Sequence, residues 1–261
     1  MKFYRILALM RRDFLVMYRA KFMMIEYYYF PLVTLAMWGM FTLYAQEFAL
    51  QAGILVFLAN VFISLVSTTQ HAVNISMMSD SWSGSFLGLL LSGIREGEYL
   101  FARIITSLIT AGILTSIMFA VSYFVFGVVL IATALSALIV LTGLSIVAAV
   151  GVAIMLGAII LALGKEYGFI AWSAILVFVL LSGPFYPIST FPPGLHELAS
   201  IMPFTYTFAA IQQLIATGTV SGILFLYQGL VGLGYLLVGV PLYFFIFQYA
   251  RRSGKLARHS W

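Results

Sequence analysis

One apolar stretch of the chain carries five polar side chains at helical spacing. They follow one another after 4, 3, 4 and 3 residues, which keeps them within about 80° of one another on a helix. Polar groups inside hydrocarbon need partners, so we expect this face to point into the protein. It could line a substrate path or a dimer seam, or it could supply hydrogen bonds between packed helices. The five residues are Asn60, Ser64, Ser67, His71 and Asn74.

The chemistry of metal binding and nucleophilic catalysis finds little support in the sequence. The chain has no cysteine and three histidines, and no two of these histidines stand at a chelating spacing. Neither a His-Glu-x-x-His zinc motif nor a Gly-x-Ser-x-Gly nucleophile elbow occurs. We therefore expect neither a metal site nor a catalytic residue in this chain.

ATP hydrolysis by the chain itself is also not expected. A Walker A loop requires Gly-Lys followed by Ser or Thr, whereas the Gly-Lys pairs at 164–165 and 254–255 precede Glu166 and Leu256. A membrane-embedded enzyme acting on lipid, kept as an alternative, would require acids and histidines clustered at one depth. The sequence predicts no such cluster, because every Asp and Glu falls near a predicted helix boundary.

The composition excludes an ordinary soluble domain. Hydrophobic residues make up 63% of the chain, charged residues make up 8%, and the mean hydropathy is +1.10. Soluble domains carry about 25% charged residues. The 261 residues suffice for about six membrane spans with short connections. The predicted fold class is therefore an all-α integral membrane protein, with a single transmembrane domain over residues 1–261.

Apolar runs predict six transmembrane helices. In the fourth of them, small residues at every fourth position, Ser145, Ala149, Ala153 and Gly157, should let a neighbouring helix approach closely. The predicted spans are 27–45, 53–77, 104–131, 136–163, 169–183 and 223–249.

Residues 1–21 are predicted to form an amphipathic helix along the membrane surface. At 100° per residue the apolar side chains share one face, while Lys2, Arg5, Arg12 and Arg19 share the other. Such a helix buries its apolar side among acyl chains and keeps its cations at the headgroups. The alternative is a basic tail that only enforces orientation. The apolar set is Phe3, Ile6, Leu7, Met10, Phe14, Met17 and Tyr18.

The net charge of +5 indicates membrane orientation rather than binding to nucleic acid. If six spans alternate and both termini are cytoplasmic, all 13 Lys and Arg residues fall on the cytoplasmic side, as the positive-inside rule requires. Five or seven spans would break this pattern. We therefore expect a multi-pass protein of the cell membrane, in contact with membrane lipids, with both termini in the cytoplasm.

This orientation places the polar segment 79–103 in the cytoplasm. A short helix capped by Asp80 or Ser81 is predicted to run through Leu91 and to end at Gly93. A helix of this length is marginal in water. Its apolar side chains therefore need a surface, either the headgroup region or another protein. These side chains are Trp82, Phe86 and Leu87.

The same orientation places segment 184–218 on the outer side. Proline interrupts helices, and the stretch 183–203 holds five of the seven prolines. A second short helix is predicted over 204–216, closed by Gly218. We expect a re-entrant helical hairpin between spans five and six, with a helical cap lying flat on the outer surface as the alternative. The five prolines are Pro184, Pro187, Pro192, Pro193 and Pro203.

Residues 181–206 read Leu-Ser-Gly-Pro-Phe-Tyr-Pro-Ile-Ser-Thr-Phe-Pro-Pro-Gly-Leu-His-Glu-Leu-Ala-Ser-Ile-Met-Pro-Phe-Thr-Tyr. This stretch is similar to a pattern of the type 2 ABC exporter permeases, which the chain resembles over essentially its whole length. Two places depart from the family pattern. Met202 stands where Asn is usual, and Gln212 and Gln213 stand where Arg often follows.

A second pattern resembles the cytoplasmic segment of the drug and lipid exporter branch of this family. It consists of Asp80-x-x-x-Gly84, followed by Arg95 and by Ala102-Arg103. The resemblance implies two separate cytoplasmic ATPase subunits, which would bind ATP and Mg, and a second, identical permease copy. A heterodimer of permeases stays open.

The resemblance also implies roles for particular residues. The coupling helix, which would sit in a groove of the ATPase, would involve Asp80, Ser81, Trp82, Gly84, Phe86, Leu87 and Arg95. The translocation path would be lined by Asn60, Ser64, Ser67, His71 and Asn74, together with Phe185, Tyr186 and Phe191. The outer gate would contain Pro184, Pro187, Pro192, Pro193 and Pro203.

The predicted function is ATP-driven export of an amphipathic compound, such as a drug-like molecule or a lipid. A lipid-linked glycan or polysaccharide is the nearest alternative substrate, since the 16% aromatic content permits a ladder of exposed rings along which sugars slide. A lipid-modifying membrane enzyme and a channel-like protein without an ATPase are the alternatives from other classes.

Overall fold

The computed structural model describes residues 3–45, 49–163 and 167–252, and the regular elements in these ranges are helices. The predicted all-α fold class is confirmed. The first half contains α1 (Phe3–Arg19), α2 (Lys21–Met24), a π-helical turn (Ile25–Tyr29), α3 (Phe30–Ala45), α4 (Leu50–Trp82), α5 (Ser85–Leu91) and α6 (Glu96–Phe124). The second half contains α7 (Leu130–Thr133), α8 (Leu135–Leu163), α9 (Ile170–Leu181), a 3-10 turn (Ile188–Thr190), α10 (Leu195–Ser200), α11 (Thr205–Thr217) and α12 (Gly222–Arg252).

Within the described residues, four helices are long and apolar enough to cross a membrane. They coincide with the second, third, fourth and sixth predicted spans. α9, with 12 residues, rises only about 18 Å, which is less than the roughly 30 Å of a hydrocarbon core. The count of six spans therefore stays a prediction. The four candidate spans are Leu50–Asp80, Glu96–Phe124, Leu135–Leu163 and Gly222–Tyr249.

α4 is the helix around which the others pack. Its 33 residues contact α3, α6, α8, α9 and α11, so it is covered on several sides at once. Phe57, Leu58, Phe62 and Leu65 are fully buried along it. A helix that is apolar on most of its circumference is stable only inside a bundle or a membrane. α4 lies inside the bundle and is also long and apolar enough to cross a membrane.

α8 and α12 approach each other closely because glycines lie at their contact. A side chain at Gly151 of α8 would meet the backbone of Leu236 at 2.8 Å, and one at Gly239 of α12 would meet the carbonyl oxygen of Gly151 at 2.9 Å. The predicted small-residue stripe of α8 lies away from this contact with α12. Gly157, at the end of the stripe, lies against Asn74 of α4.

α1 has two apolar faces rather than one. Ile6 and Met17 are buried against the bundle, as the predicted apolar face requires. Phe3, Leu7 and Tyr18, which belong to the same predicted face, are 76%, 55% and 79% exposed. The helix therefore packs on protein along one side and leaves a second apolar strip uncovered, which suits contact with acyl chains.

The turn before α8 begins earlier than the predicted boundary at 131. α6 ends at Phe124, and Gly127 takes a φ of +64°, which favours glycine. Phe126 is buried, and its ring fills the space in which Gly39 of α3 would carry a side chain. Hydropathy carries no signal for this turn, because its residues are as apolar as the spans around it.

The predicted outer segment, residues 184–218, folds back onto the bundle. α9 is followed by Gly183, with a φ of +66°, and α11 is followed by Gly218, with a φ of +74°. The predicted closure of the second short helix at Gly218 is therefore confirmed. Phe204 and Phe208 are fully buried in the core that α4 also forms. The described residues thus hold α11 against α4 and α12, while the re-entrant hairpin itself stays a prediction.

The contact between α8 and α12 generates a test of the fold. We expect Gly151→Ala to lower the free energy of unfolding by about 1–3 kcal/mol, because the new methyl group would press on the backbone of α12. Gly143→Ala is the matched control, since a side chain at Gly143 of the same helix would meet nothing within 4 Å. Unfolding of the purified variants in detergent measures the difference, and equal stability of both would contradict the close contact.

Candidate functional site

A buried ion cluster joins three helices at one end of the bundle. Arg103 of α6 is 1% exposed, and its guanidinium donates to the carboxylates of Asp13 of α1 and Asp80 of α4. The Tyr99 hydroxyl donates to Oδ2 of Asp80 at 2.8 Å. Arg12 of α1 also donates to Asp80. We call Arg12, Asp13, Asp80, Tyr99 and Arg103 the Arg103 cluster.

The Arg103 cluster balances its own charge. Two arginines face two carboxylates, and pairing of this kind is what makes buried charges tolerable. The Arg103 guanidinium also lies over the Tyr99 ring, 4.6 Å from its centroid. Burial raises the pKa of Asp13 above its ordinary value, and the neighbouring Arg103 opposes that rise. The ion pair with Arg103 therefore offsets part of the cost of burying this carboxylate.

Further ion pairs tie the ends of α1, α6 and α12 to the same region. Arg5 lies 3.4 Å from Glu98 and donates to the carbonyl oxygen of Gly93. Arg251, at the end of α12, lies 3.4 Å from Glu96. Basic residues from three helices therefore collect at one end of the bundle.

The short helix α5 is attached directly to the Arg103 cluster. It begins at Ser85 rather than after a cap at Asp80 or Ser81, because α4 continues through both of those residues. The Ser85 hydroxyl donates to Oδ1 of Asp80 at 3.3 Å. Gly93 follows α5 with a φ of +79°, which confirms the predicted end of the helix.

The predicted coupling residues divide into different structural roles. Asp80 is 1% exposed, so it holds α5 in place and offers no surface to another protein. Gly84 forms the turn before α5, with a φ of +65°, while the side chain of Arg95 is exposed. Leu91, which the prediction did not single out, is 87% exposed. The side chains of Ser81, Trp82, Phe86 and Leu87 lie outside the part of the chain that the structure describes.

A cavity of about 410 Å³ opens between α3, α4 and α9. Four of the five residues of the predicted polar stripe line it, together with Glu26 and Trp172. Asn74, the fifth stripe residue, is not among the lining residues and is fully buried beside Gly157. We call this space the Glu26 cavity. Its stripe residues are Asn60, Ser64, Ser67 and His71.

Glu26 brings a carboxylate into this cavity from the π-helical turn. Its Oε1 accepts the indole N–H of Trp172 of α9 and lies 3.5 Å from Nδ1 of His71 of α4. Sequence reasoning treated Glu26 as a boundary residue, because it just precedes the first predicted span. Trp172 and His71, which contact Glu26, are distant from it in sequence. The hydropathy pattern therefore could not predict these contacts.

The predicted outer aromatic residues lie apart from the Glu26 cavity. Tyr186 and Phe191 pack edge to face, with ring centroids 5.4 Å apart, and the Tyr186 hydroxyl donates to the carbonyl oxygen of Leu180 at 3.1 Å. Phe185 is 42% exposed. Among the predicted gate residues, Pro184 and Pro203 are buried, whereas Pro187, Pro192 and Pro193 are exposed.

A buried glutamine of α12 fixes the position of Pro203. Gln228 is 1% exposed, its Nε2 donates to the carbonyl oxygen of Pro203 at 2.8 Å, and its Oε1 accepts the backbone N–H of Thr207 at 3.0 Å. The Thr207 hydroxyl lies 2.9 Å from that of Ser145 of α8. Side chains of two long helices thus satisfy the backbone and side-chain polar groups where α11 begins.

Sequence reasoning overlooked Asp13, although the chain carries a signal for it. An acidic residue on the packed face of a helix indicates a buried basic partner. Glu26 and Gln228 offer no comparable signal, because their partners are distant in sequence. The packed face of α1 recurs every three or four residues, at Ile6, Leu9, Asp13 and Met17.

The Arg103 cluster predicts a large effect of one substitution. Arg103→Met should lower the free energy of unfolding by about 3–5 kcal/mol, because it leaves two buried carboxylates without their shared cation. Arg251→Met is the matched control. The Arg251 side chain is 70% exposed, and an exposed pair contributes at most about 1 kcal/mol. Denaturant unfolding in detergent compares the two, and equal losses would contradict the buried role of Arg103.

The outer segment predicts a second difference. Gln228→Leu should cost about 1–3 kcal/mol, because it removes the partners of a buried N–H and a buried carbonyl oxygen. Gln248→Leu, at an exposed position of the same helix, should change stability little. Limited proteolysis between Gly183 and Gly222 provides a local readout. Equal cleavage rates in both variants would contradict the anchoring by Gln228.

Comparison with known sequences identifies the family to which this chain belongs. A sequence model of the ABC-2 type transporter family matches residues 4–216, a range that includes the Arg103 cluster, the Glu26 cavity and the proline-rich segment. A search of curated proteins gave no match. Members of this family are membrane subunits that associate with ABC ATPase subunits. The chain therefore belongs to the ABC-2 type transporter family and is a multi-pass permease subunit of an ABC transporter.

Proposed function

We propose that this permease exports an amphipathic compound, a drug-like molecule or a lipid, from the cytoplasm. Two separate ATPase subunits, which bind ATP and Mg, supply the energy, and a second, identical permease copy completes the translocation path. The protein lies in the cell membrane with both termini in the cytoplasm. The collection of basic residues from α1, α6 and α12 at one end of the bundle supports this orientation.

The observation that carries the proposal is the attachment of α5 to the Arg103 cluster. Asp80 contacts Arg12, Arg103 and Ser85 at the same time, so a force on α5 reaches α1, α4 and α6 together. Leu91 at the end of α5 is 87% exposed, and an exposed large apolar side chain beside polar turns suits a protein contact. We infer that α5 docks in a groove of the ATPase.

The Glu26 cavity and the outer segment supply the rest of the path. Substrate enters the cavity along the polar face of α4, and the proline-rich segment forms the gate on the outer side. The burial of Pro184 and Pro203 and the anchoring of Pro203 by Gln228 support a gate with a fixed hinge. Tyr186 and Phe191, which pack on each other, close the outer side of that gate.

Co-expression with candidate ATP-binding subunits tests the coupling role of α5. We expect Leu91→Asp to lower both the co-purified ATPase and the permease-dependent ATP hydrolysis about tenfold, the result of losing about 1.4 kcal/mol of binding. Leu198→Asp is the control, since Leu198 is an exposed leucine of the outer segment. Both variants should run as a single species on size exclusion.

Two results would overturn the coupling assignment. One is that no ATPase co-purifies with the wild-type permease. The other is that Leu91→Asp and the double variant Trp82→Ala with Phe86→Ala leave the complex and its transport intact. Transport into inverted vesicles then identifies the substrate class. Uptake of a lipid-linked glycan in place of a fluorescent amphiphile would replace the proposed substrate.

A further inference from the structure

The Glu26 cavity contains a carboxylate whose hydrogen bonding is incomplete. The Glu26 side chain is 10% exposed. Its Oε1 accepts the indole N–H of Trp172, but its Oε2 is buried and has no hydrogen-bond partner among the described residues. A buried carboxylate oxygen without a partner is unfavourable in an apolar setting. A bound group that pairs with Oε2 would remove this penalty.

A second polar group in the cavity is also incomplete. Asn60 is 7% exposed, lines the cavity, and its Nδ2 has no hydrogen-bond partner among the described residues. It lies on α4, 11 residues before His71, and therefore about 16 Å from that contact of Glu26 along the helix axis. The cavity thus presents unpartnered polar atoms near both of its ends, as ligand sites commonly do.

The described lining of the Glu26 cavity contains a negative charge but no basic side chain of Lys or Arg to balance it. The lining residues that the structure describes include Glu26 but neither Lys nor Arg. The nearby His71 contacts the same carboxylate oxygen that Trp172 already holds. An anionic ligand would be repelled by Glu26, and a neutral polyol would leave its charge uncompensated. A cation would be attracted.

The remaining walls suit an organic cation rather than a metal ion. Phe30, Pro31 and Ile63 contribute apolar surface, and Trp172 contributes an indole ring, whose face attracts ammonium groups. Within the described residues, no group of three His, Cys, Asp or Glu could hold a metal. The volume of about 410 Å³ falls in the range of small-molecule pockets, roughly 300–1,000 Å³.

We propose that the Glu26 cavity binds the amine or quaternary ammonium head of an amphipathic cation, with Glu26 as the counter-charge and Trp172 as the aromatic wall. Asn60, further along α4, donates to a polar group at the other end of the ligand, and the apolar walls take the hydrocarbon between. The identification of this bound cation with the transported substrate rests on the proposed export function. The binding itself does not.

The test uses the full-length permease in phosphatidylcholine nanodiscs, without an ATPase. Tetraphenylphosphonium and tetraphenylborate serve as probes, because they match in size and shape and differ in the sign of their charge. We expect the phosphonium to bind with saturation and Glu26→Gln to weaken its binding about tenfold, because the substitution removes the negative charge that attracts the cation. Binding of the borate should not weaken in this variant.

Two control variants keep the result interpretable. Glu26→Asp retains the charge and should keep the preference for the phosphonium, whereas a merely structural role of Glu26 would make both variants alike. Glu96→Gln removes a carboxylate that pairs with Arg251 outside the cavity and should leave binding unchanged. Equal phosphonium affinity of wild type and Glu26→Gln, or saturable borate binding that depends on Glu26, would overturn the proposal.

The cation could be a free amphiphile or the headgroup of an ethanolamine lipid, and the nanodisc composition distinguishes them. If phosphatidylethanolamine weakens phosphonium binding relative to phosphatidylcholine alone, the lipid headgroup competes for the cavity. If it has no effect, the ligand is a free organic cation. Because no ATPase is present, failure of cation binding would leave the permease function standing, and failure of transport with intact binding would contradict export instead.

Discussion

The burial of one guanidinium constrains the end of the bundle where α1, α4 and α6 meet. Arg103 cannot be solvated where α6 places it, since it is 1% exposed, so carboxylates must be brought to it. The two that serve, Asp13 and Asp80, come from α1 and α4. The position of α1, the course of the chain after α4 and the attachment of α5 all depend on meeting this requirement.

α4 connects that constraint to the interior of the membrane domain. Asp80 stands near its end, and His71 lines the Glu26 cavity about 13 Å away along the helix axis, at 1.5 Å per residue. The helix is packed against α3, α6, α8, α9 and α11, and packed elements move as units rather than deform continuously. A displacement of α5 would therefore reach the Glu26 cavity through a single continuous helix, as the proposed coupling by α5 requires.

The sequence predicted those features that depend on local pattern. Hydropathy located four long helices, and Gly93 and Gly218 end short helices where their type predicts. The polar stripe of α4 was expected to point inward, and four of its residues meet at one cavity. Asn74 departs from them because it packs beside Gly157 of α8.

Features that depend on distant partners could not be predicted in this way. Glu26 meets Trp172 only because α9 packs beside the π-helical turn, and Gln228 matters only because α11 begins next to it. Gly151 and Gly239 allow the close approach of α8 and α12, yet the regular spacing of small residues indicated the opposite side of α8. The turn at Gly127 is hidden in an uninterrupted apolar run.

We conclude that Arg103 holds α1 and the α5 segment in one arrangement. The chain has no native cysteine, so spin labels can be placed at Arg11→Cys on α1 and Ser92→Cys after α5, both at exposed positions, and the distance between them measured by double electron–electron resonance. We predict one narrow distance distribution, which broadens when Arg103→Met is added and stays narrow when Arg251→Met is added instead. A distribution of the same width with and without Arg103 would contradict it.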